Sequence, residues 1–236
     1  MHLSVVIPAF NEALRIGKTL SEANAYLSRQ CYSSEVLVVD DGSTDNTARL
    51  LETLFPTVRT VSYHPHRGKG YAVRKGMPAA TGDYRVFYDA DGSTPIEELG
   101  KLWPRFEEGA DIVIGSRSLP GSEVVVRQSW LRQNMGRGFN LMARSLRLTS
   151  FPDTQCGFKG FTARACETVF PRQTLDGFAF DVEILYIAQK HGLRVEQVPI
   201  RWINSPRSSL NLVTGSFFML RELLRIPFAD RRGCYD

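Results

Sequence analysis

Five short runs rich in β-branched and aromatic residues, at 3–7, 36–39, 58–63, 84–88 and 112–114, break up the first half of the chain. Between them, apolar positions at helical spacing predict helices near 12–28, 45–54, 71–80 and 95–108. Strands that alternate with helices through short connections make a mostly parallel sheet with helices on both faces, an α/β architecture. The last helix carries start signals: Thr94 as N-cap, Pro95 at the first helical position and Glu97 three residues after the cap.

The second half has a different pattern. Over 127–147, Leu131, Met135, Phe139, Met142 and Leu146 share one side at 100° per residue, with Trp130 and Leu141 beside them. Arg132, Arg137, Arg144 and Arg147 share the other. Such a helix can lie in a membrane interface or pack its apolar face on its own domain. A second stretch, near 213–226, sets Phe217, Leu220, Leu223 and Leu224 opposite Arg221 and Arg225. A helical pattern also covers 182–190, which makes Asp181 an N-cap candidate.

Polar clusters follow each of the five strand runs. They are Pro8-Ala9-Phe10-Asn11-Glu12, Asp40-Asp41-Gly42-Ser43, the loop from His64 to Gly70, Asp89-Ala90-Asp91 and Gly115-Ser116-Arg117. Ligands of open α/β sheets bind beyond the carboxyl ends of the strands, so all five would converge on one edge.

Composition narrows the function classes. The chain of 236 residues is 43% hydrophobic, enough for the core of one domain spanning 1–236, and is not that of a disordered polypeptide. No apolar run approaches the roughly 18–20 residues that span a bilayer, and no secretory signal pattern opens it. Net charge is +4, but unevenly placed: residues 1–116 carry 12 basic and 15 acidic side chains, and 117–236 carry 17 and 10. The basic residues divide into 23 Arg and 6 Lys, a bias toward the planar fork that suits phosphate and carboxylate. A basic stripe interleaved with aromatics is missing, so nucleic acid is not an expected partner. Cys31, Cys156, Cys166 and Cys234 are widely spread and read as reduced thiols.

Asp89 and Asp91, two hard oxygen donors at a strand end, are candidate ligands for Mg²⁺ or Mn²⁺. Asp40 and Asp41 can accept from a base N–H or a ribose hydroxyl, while Gly42 fits a turn. Arg67-Gly68-Lys69-Gly70 can hold anionic groups near a helix start. With no further His or Cys nearby, His64 and His66 read as solvated loop residues.

Taken together, the five clusters resemble glycosyltransferase family 2, inverting enzymes of GT-A fold. Asp153-Thr154-Gln155-Cys156-Gly157-Phe158-Lys159, Phe180-Asp181-Val182-Glu183 and Asp89-Ala90-Asp91-Gly92-Ser93-Thr94 resemble its dolichyl-phosphate β-glucosyltransferase branch. The mannosyltransferase branch usually has Gln where this chain has Ser93. The resemblance implies that Pro8, Phe10, Glu12, Asp40, Asp41, Lys69, Asp89, Ala90 and Asp91 surround a nucleotide sugar, UDP-glucose above all. Phe10 stands where Tyr is more usual, which keeps a ring contact and loses a hydroxyl.

The expected reaction is a single displacement at the anomeric carbon that expels a nucleoside diphosphate. A divalent metal and arginines would stabilise the charge growing on the leaving group, with Arg117 the first choice and Arg207 the second. A polyprenyl-phosphate oxygen is already anionic at neutral pH and needs no base. A sugar hydroxyl would need one, with Asp181 or Asp153 the candidates. The expectation is a cytoplasmic enzyme, peripheral on the cytosolic face of a membrane. Mannosyl transfer from GDP-mannose, a soluble hydroxyl acceptor, and a catalytically silent nucleotide-sugar-binding protein are the alternatives.

Overall fold

The computed structural model describes residues 1–126, 130–203 and 212–236, without the side chains of 132 and 212–217. Seven strands form one sheet: β1 (His2–Ala9), β2 (Ser33–Asp40), β3 (Arg59–Ser62), β4 (Tyr84–Tyr88), β5 (Ile112–Ser116), β7 (Phe158–Thr162) and β8 (Val195–Pro199). Their spatial order is β3-β2-β1-β4-β7-β5-β8, and only β7 runs antiparallel. Two short strands, β6 (Glu123–Val126) and β9 (Arg201–Ile203), pair separately. The helices are α1 (Ile16–Leu27), α2 (Thr47–Leu54), α3 (Lys69–Ala79), α4 (Trp103–Glu107), α5 (Trp130–Ser145), α6 (Ala163–Val169), α7 (Phe180–Lys190) and α8 (Leu212–Arg231).

Strand pleating divides the apolar residues between two cores. Val6, Leu37, Val39 and Phe87 enter the core on one face, against α3, α6 and α7. Leu3, Val5, Ile7, Val36, Val38, Val86 and Tyr88 enter the other, with Ile16 and Leu20 of α1 and Phe106 of α4. This two-sided burial is why the strands read as apolar runs rather than as alternating patterns.

Chain direction switches at β1: β2 and β3 lie to one side of it and β4 to the other. That is the topological position at which open α/β sheets form a crevice. Antiparallel β7 brings its beginning, not its end, to the same edge, since Phe158 pairs with Tyr88. Residues 153–157 therefore arrive beside the ends of β1, β2, β4 and β5. Gly160 makes the inserted strand possible, because a Cβ there would press on Leu102 and Phe106 at 2.9–3.1 Å.

The helix expected over 95–108 differs from its sequence reading. Pro95 precedes a 3-10 turn, Ile96–Lys101, and α4 begins only at Trp103. Thr94 makes no cap; its carbonyl accepts the Tyr88 hydroxyl at 2.8 Å, which anchors the loop after β4 to the strand instead. Asp181 is not an N-cap either. Ala179 takes that place, and Asp181 stands in the first turn of α7.

Helix α5 packs through Phe139, Asn140 and Ala143, all buried. Trp130, Leu131, Leu141, Met142 and Leu146 remain exposed, beside exposed Arg137 and Arg144. The apolar side read from the sequence is thus split, with Phe139 turned into the protein and its neighbours left outside. On α8, Leu223 and Ile226 are fully buried while Phe218, Leu224 and Phe228 face outward. Among the described residues, no helix is long and apolar enough to cross a membrane.

Candidate active site

A cluster of opposite charges stands where β4 ends. Lys69, the first residue of α3, reaches Asp89 with Nζ 2.7 Å from Oδ1. Burial opposes the Lys69 charge, but Asp89, Asp181 and Asp91 outweigh it and hold the ammonium above its ordinary pKa. Burial raises the Asp89 carboxyl above the usual range, and Lys69 pulls it part of the way back. Asp91 Oδ1 accepts the Ser93 amide at 2.9 Å, and its Oδ2 lies 4.0 Å from Arg15. Arg15 in turn donates from Nε to Glu12 Oε2 at 2.6 Å.

Backbone geometry explains Asp89's fixed position. Its amide donates to the Gly157 carbonyl at 3.0 Å, and a Cβ on Gly157 would overlap the Asp89 carboxylate. Behind it, Lys159 is wholly buried on β7 and donates to Asp181 Oδ1 and to the Cys156 carbonyl, each at 2.5 Å. Lys69 and Lys159 lie over the Phe87 ring at 5.1 and 5.5 Å.

Arg117 enters from the end of β5. Its Nε and Nη2 donate to Asp153 Oδ2 and Oδ1 at 2.9 and 2.7 Å, its own amide donates to Oδ2 at 2.8 Å, and its guanidinium lies 5.3 Å from the Trp202 ring centre. Burial works against both charges, yet the pairing lifts Arg117 above its ordinary pKa and holds Asp153 below the usual carboxylate range. Asp89 also acts on Arg117 electrostatically, which places the β4 and β5 ends within one field. Burial pushes the nearby Cys156 thiol up to about 12, so it stays protonated; all four cysteines are free.

The ends of β1 and β2 form the other side. Asp41 is buried and accepts the amides of Arg67 and Gly68 at 2.7 and 2.8 Å, with His66 Nδ1 at 2.9 Å from Oδ2. Its carboxylate thereby holds the chain entering α3. Asp40 accepts the Ser43 amide at 3.1 Å, beside Gly42 at φ +71°. The His66 ring stacks on Phe10, centroids 3.8 Å apart and planes 22° from parallel. Pro8 and Ala90 are buried wall residues, and the Ala90 carbonyl accepts the Thr19 hydroxyl at 2.8 Å.

The edge thus brings Glu12, Lys69, Asp89, Asp91, Arg117, Asp153 and Asp181 into one electrostatic neighbourhood, with Phe10, Asp40 and Asp41 beside it. Arg207 lies outside the described residues. Sequence reading assigned no part to His66 or Lys159. His66 sits in a loop without periodicity, so nothing local announced its contact with Phe10. Lys159 carried one signal, its place at the end of the Asp153–Lys159 motif, and only its burial on β7 shows that it needs a charged partner.

The Glycosyl transferase family 2 profile matches residues 4–170, the span that holds every cluster from Pro8 to Gly157. The chain belongs to this family. It is 34% identical over 250 residues to a dolichyl-phosphate beta-glucosyltransferase of Dictyostelium discoideum, covering 100% of this chain and 76% of that one. It is 33% identical over 252 residues to the dolichyl-phosphate beta-glucosyltransferase of Homo sapiens, covering 99% and 77%. Among solved structures, mannosyl-3-phosphoglycerate synthase from Rubrobacter xylanophilus superposes with a TM-score of 0.73 at 22% identity, covering 99% of this chain and 76% of that one. Glucosyl-3-phosphoglycerate synthase from Mycobacterium tuberculosis, in complex with Mn²⁺ and UDP-glucose, gives 0.68 at 18%, covering 95% and 78%. The fold is that of these GT-A enzymes, and the protein is a glycosyltransferase, not a silent binding protein.

Proposed function

We propose that this family 2 enzyme transfers glucose from UDP-glucose, with inversion, to the phosphate of a polyprenyl or dolichyl lipid at the cytosolic face of a membrane. The observation that carries this reading is the pairing of both candidate bases. Asp181 is held by Lys159 and Asp153 by Arg117. Burial notwithstanding, Arg117 holds the Asp153 carboxyl below its usual range, and Asp181 Oδ1 is already taken by the Lys159 ammonium, so the arrangement suits an acceptor that arrives already ionised, as a lipid phosphate does near neutral pH. Similarity over 99–100% of this chain and 76–77% of the dolichyl-phosphate beta-glucosyltransferases supports the choice of glucose and of lipid.

The donor set fits a divalent cation. Among the described residues no three His, Cys, Asp or Glu side chains form a metal cluster. Asp89 and Asp91 alone, however, meet the need of Mg²⁺ or Mn²⁺, which binds through one or two carboxylates and fills its remaining positions with water and substrate phosphate. Such an ion would neutralise charge on the departing diphosphate. Lys69 adds a fixed positive charge at Asp89, and Glu12 fixes Arg15 beside Asp91. Arg117, oriented by Asp153 and the Trp202 ring, is assigned in this reading to the acceptor phosphate or the leaving group. Phe10 and His66 offer ring faces, and Asp40 and Asp41 acceptors, on the side assigned to the nucleotide.

Exposed Trp130, Leu131, Leu141, Phe218, Leu224 and Phe228 support contact with a bilayer. The arginines around them, in a half of the chain with net charge +7, match anionic headgroups. The test is to incubate the protein with Mn²⁺ and a panel of radiolabelled nucleotide sugars, with and without polyprenyl phosphate. Label from UDP-glucose entering the organic phase only with the lipid is expected. Label confined to water-soluble product would overturn the lipid acceptor, and preference for GDP-mannose would overturn the donor.

A further inference from the structure

Helix α8 meets the turn before α7 through Glu222. Glu222 accepts the amides of Gly177 and Ala179 at 3.1 and 3.2 Å, satisfying donors at the turn that starts α7. Gly177 leaves room for this contact, since a Cβ there would overlap the Glu222 carboxylate. The same turn is locked to the start of α3. The Asp176 carbonyl accepts the Tyr71 amide at 3.2 Å and stands 2.5 Å from where a Gly68 Cβ would be. The Leu175 and Gly177 carbonyls stand 2.6 and 2.8 Å from a Cβ on Gly70. Gly68 and Gly70 flank Lys69, whose ammonium lies on Asp89.

Close packing makes this a linkage rather than a set of neighbours. Glycines without side-chain clearance pass a shift of the 175–179 turn directly to the backbone that carries Lys69. The far end is the α8 surface, where Phe218, Leu224 and Phe228 face outward while Leu223 and Ile226, one and four residues after the glutamate, are buried. We propose that Glu222 is a positioning residue through which the seating of α8 on a bilayer fixes the 175–179 turn, and with it the Gly68–Gly70 backbone that carries Lys69, and so strengthens donor binding. This rests on the reading of α8 as a membrane-contacting helix.

The experiment measures the affinity of UDP, with Mn²⁺, for the full chain with and without vesicles of phosphatidylcholine and phosphatidylserine, and follows vesicle co-sedimentation in parallel. Wild type is expected to co-sediment and to bind UDP about tenfold tighter on vesicles, within the usual range of coupling between sites. Glu222→Gln replaces an acceptor by a donor, and Gly177→Ala displaces the carboxylate from the other side. Both are expected to co-sediment as wild type does while UDP affinity no longer responds to vesicles. Glu222→Asp, which keeps the charge but shortens its reach, should recover part of the response and serves if the other variants unfold. Variants that respond as wild type does would overturn the proposal. Wild type that co-sediments without tightening would overturn the coupling and spare the membrane reading. Failure to co-sediment would overturn both.

Discussion

Asp89 owes its position to an absent side chain. Gly157 has no Cβ, its carbonyl takes the Asp89 amide, and the carboxylate fills the space a methyl group would need. Gly157→Ala is expected to destabilise the fold by about 1–3 kcal/mol, the usual range for overpacking. Because a displacement near 1 Å at a reacting centre can lower the rate by about 10²-fold, turnover should fall far more than stability does. Steady-state rates set beside urea unfolding of the same variant separate the two. The Arg117–Asp153 pair gives a different signature. Asp153's carboxyl lies below its ordinary value of 3.8 in the folded protein. Its stabilising contribution is therefore complete above the unfolded pKa and is lost as pH falls through the folded one. Asp153→Asn should flatten the loss of stability below about pH 4 in acid unfolding curves, while lowering stability at pH 7 because Arg117 loses its partner. An unchanged acid limb would show that other carboxylates control it.

At the scale of elements, the amphipathic stretch over 127–147 was legible as a helix but not as a surface. Period alone placed Phe139 with Leu131, Met142 and Leu146, yet α5 rolls so that Phe139, Asn140 and Ala143 meet the protein. What decides this is the tertiary partner, including α8, which one helix's pattern does not contain. Four of the five strands of the first half were legible because they are buried on both faces and followed by a polar cluster; β3, an exposed edge strand, was legible by its β-branched residues and the polar loop after it. Strand β7 was not: Phe158–Thr162 is short, has Gly160 at its centre and carries a buried lysine, and its partners β4 and β5 lie far away in sequence. Segment 153–157 therefore looked like a motif without a place, although it is antiparallel insertion that brings it to the site. Trp130 is 78% exposed and Leu141 58%. Burying a side chain of the size of leucine is worth about 1.5–3 kcal/mol, so Trp130→Ala with Leu141→Asp is expected to weaken vesicle binding by about tenfold or more. Neither side chain contributes to the buried core, and the melting temperature should change little. Equal co-sedimentation of the double variant and wild type would remove α5 from the membrane contact.

Across the whole molecule, the two charge populations divide along the sequence and, in the proposed function, along the work each half does. The acidic half supplies the strand ends where Asp40, Asp41, Asp89 and Asp91 gather, the setting proposed for a cation and a nucleotide diphosphate. The basic half supplies α5 and α8, whose exposed apolar side chains are interspersed with Arg137, Arg144, Arg221 and Arg225. Screening distinguishes the contributions, because apolar transfer does not weaken with salt, whereas the Debye length falls from about 10 Å at 0.1 M to about 3 Å at 1 M. Each basic side chain near an anionic surface adds about 1 kcal/mol at physiological ionic strength. Binding to vesicles containing phosphatidylserine should therefore fall steeply between low and high salt and reach a plateau set by the apolar residues. Binding to pure phosphatidylcholine should start near that plateau and change little. The internal charges predict the opposite for the fold: Lys69, Lys159 and Arg117 are paired inside the protein and screened much less. A melting temperature nearly constant across the same salt series, while vesicle binding declines, would separate the arginines proposed to meet the membrane from the cations that hold the site. Parallel loss of both would mean that surface charge pairs also maintain the fold.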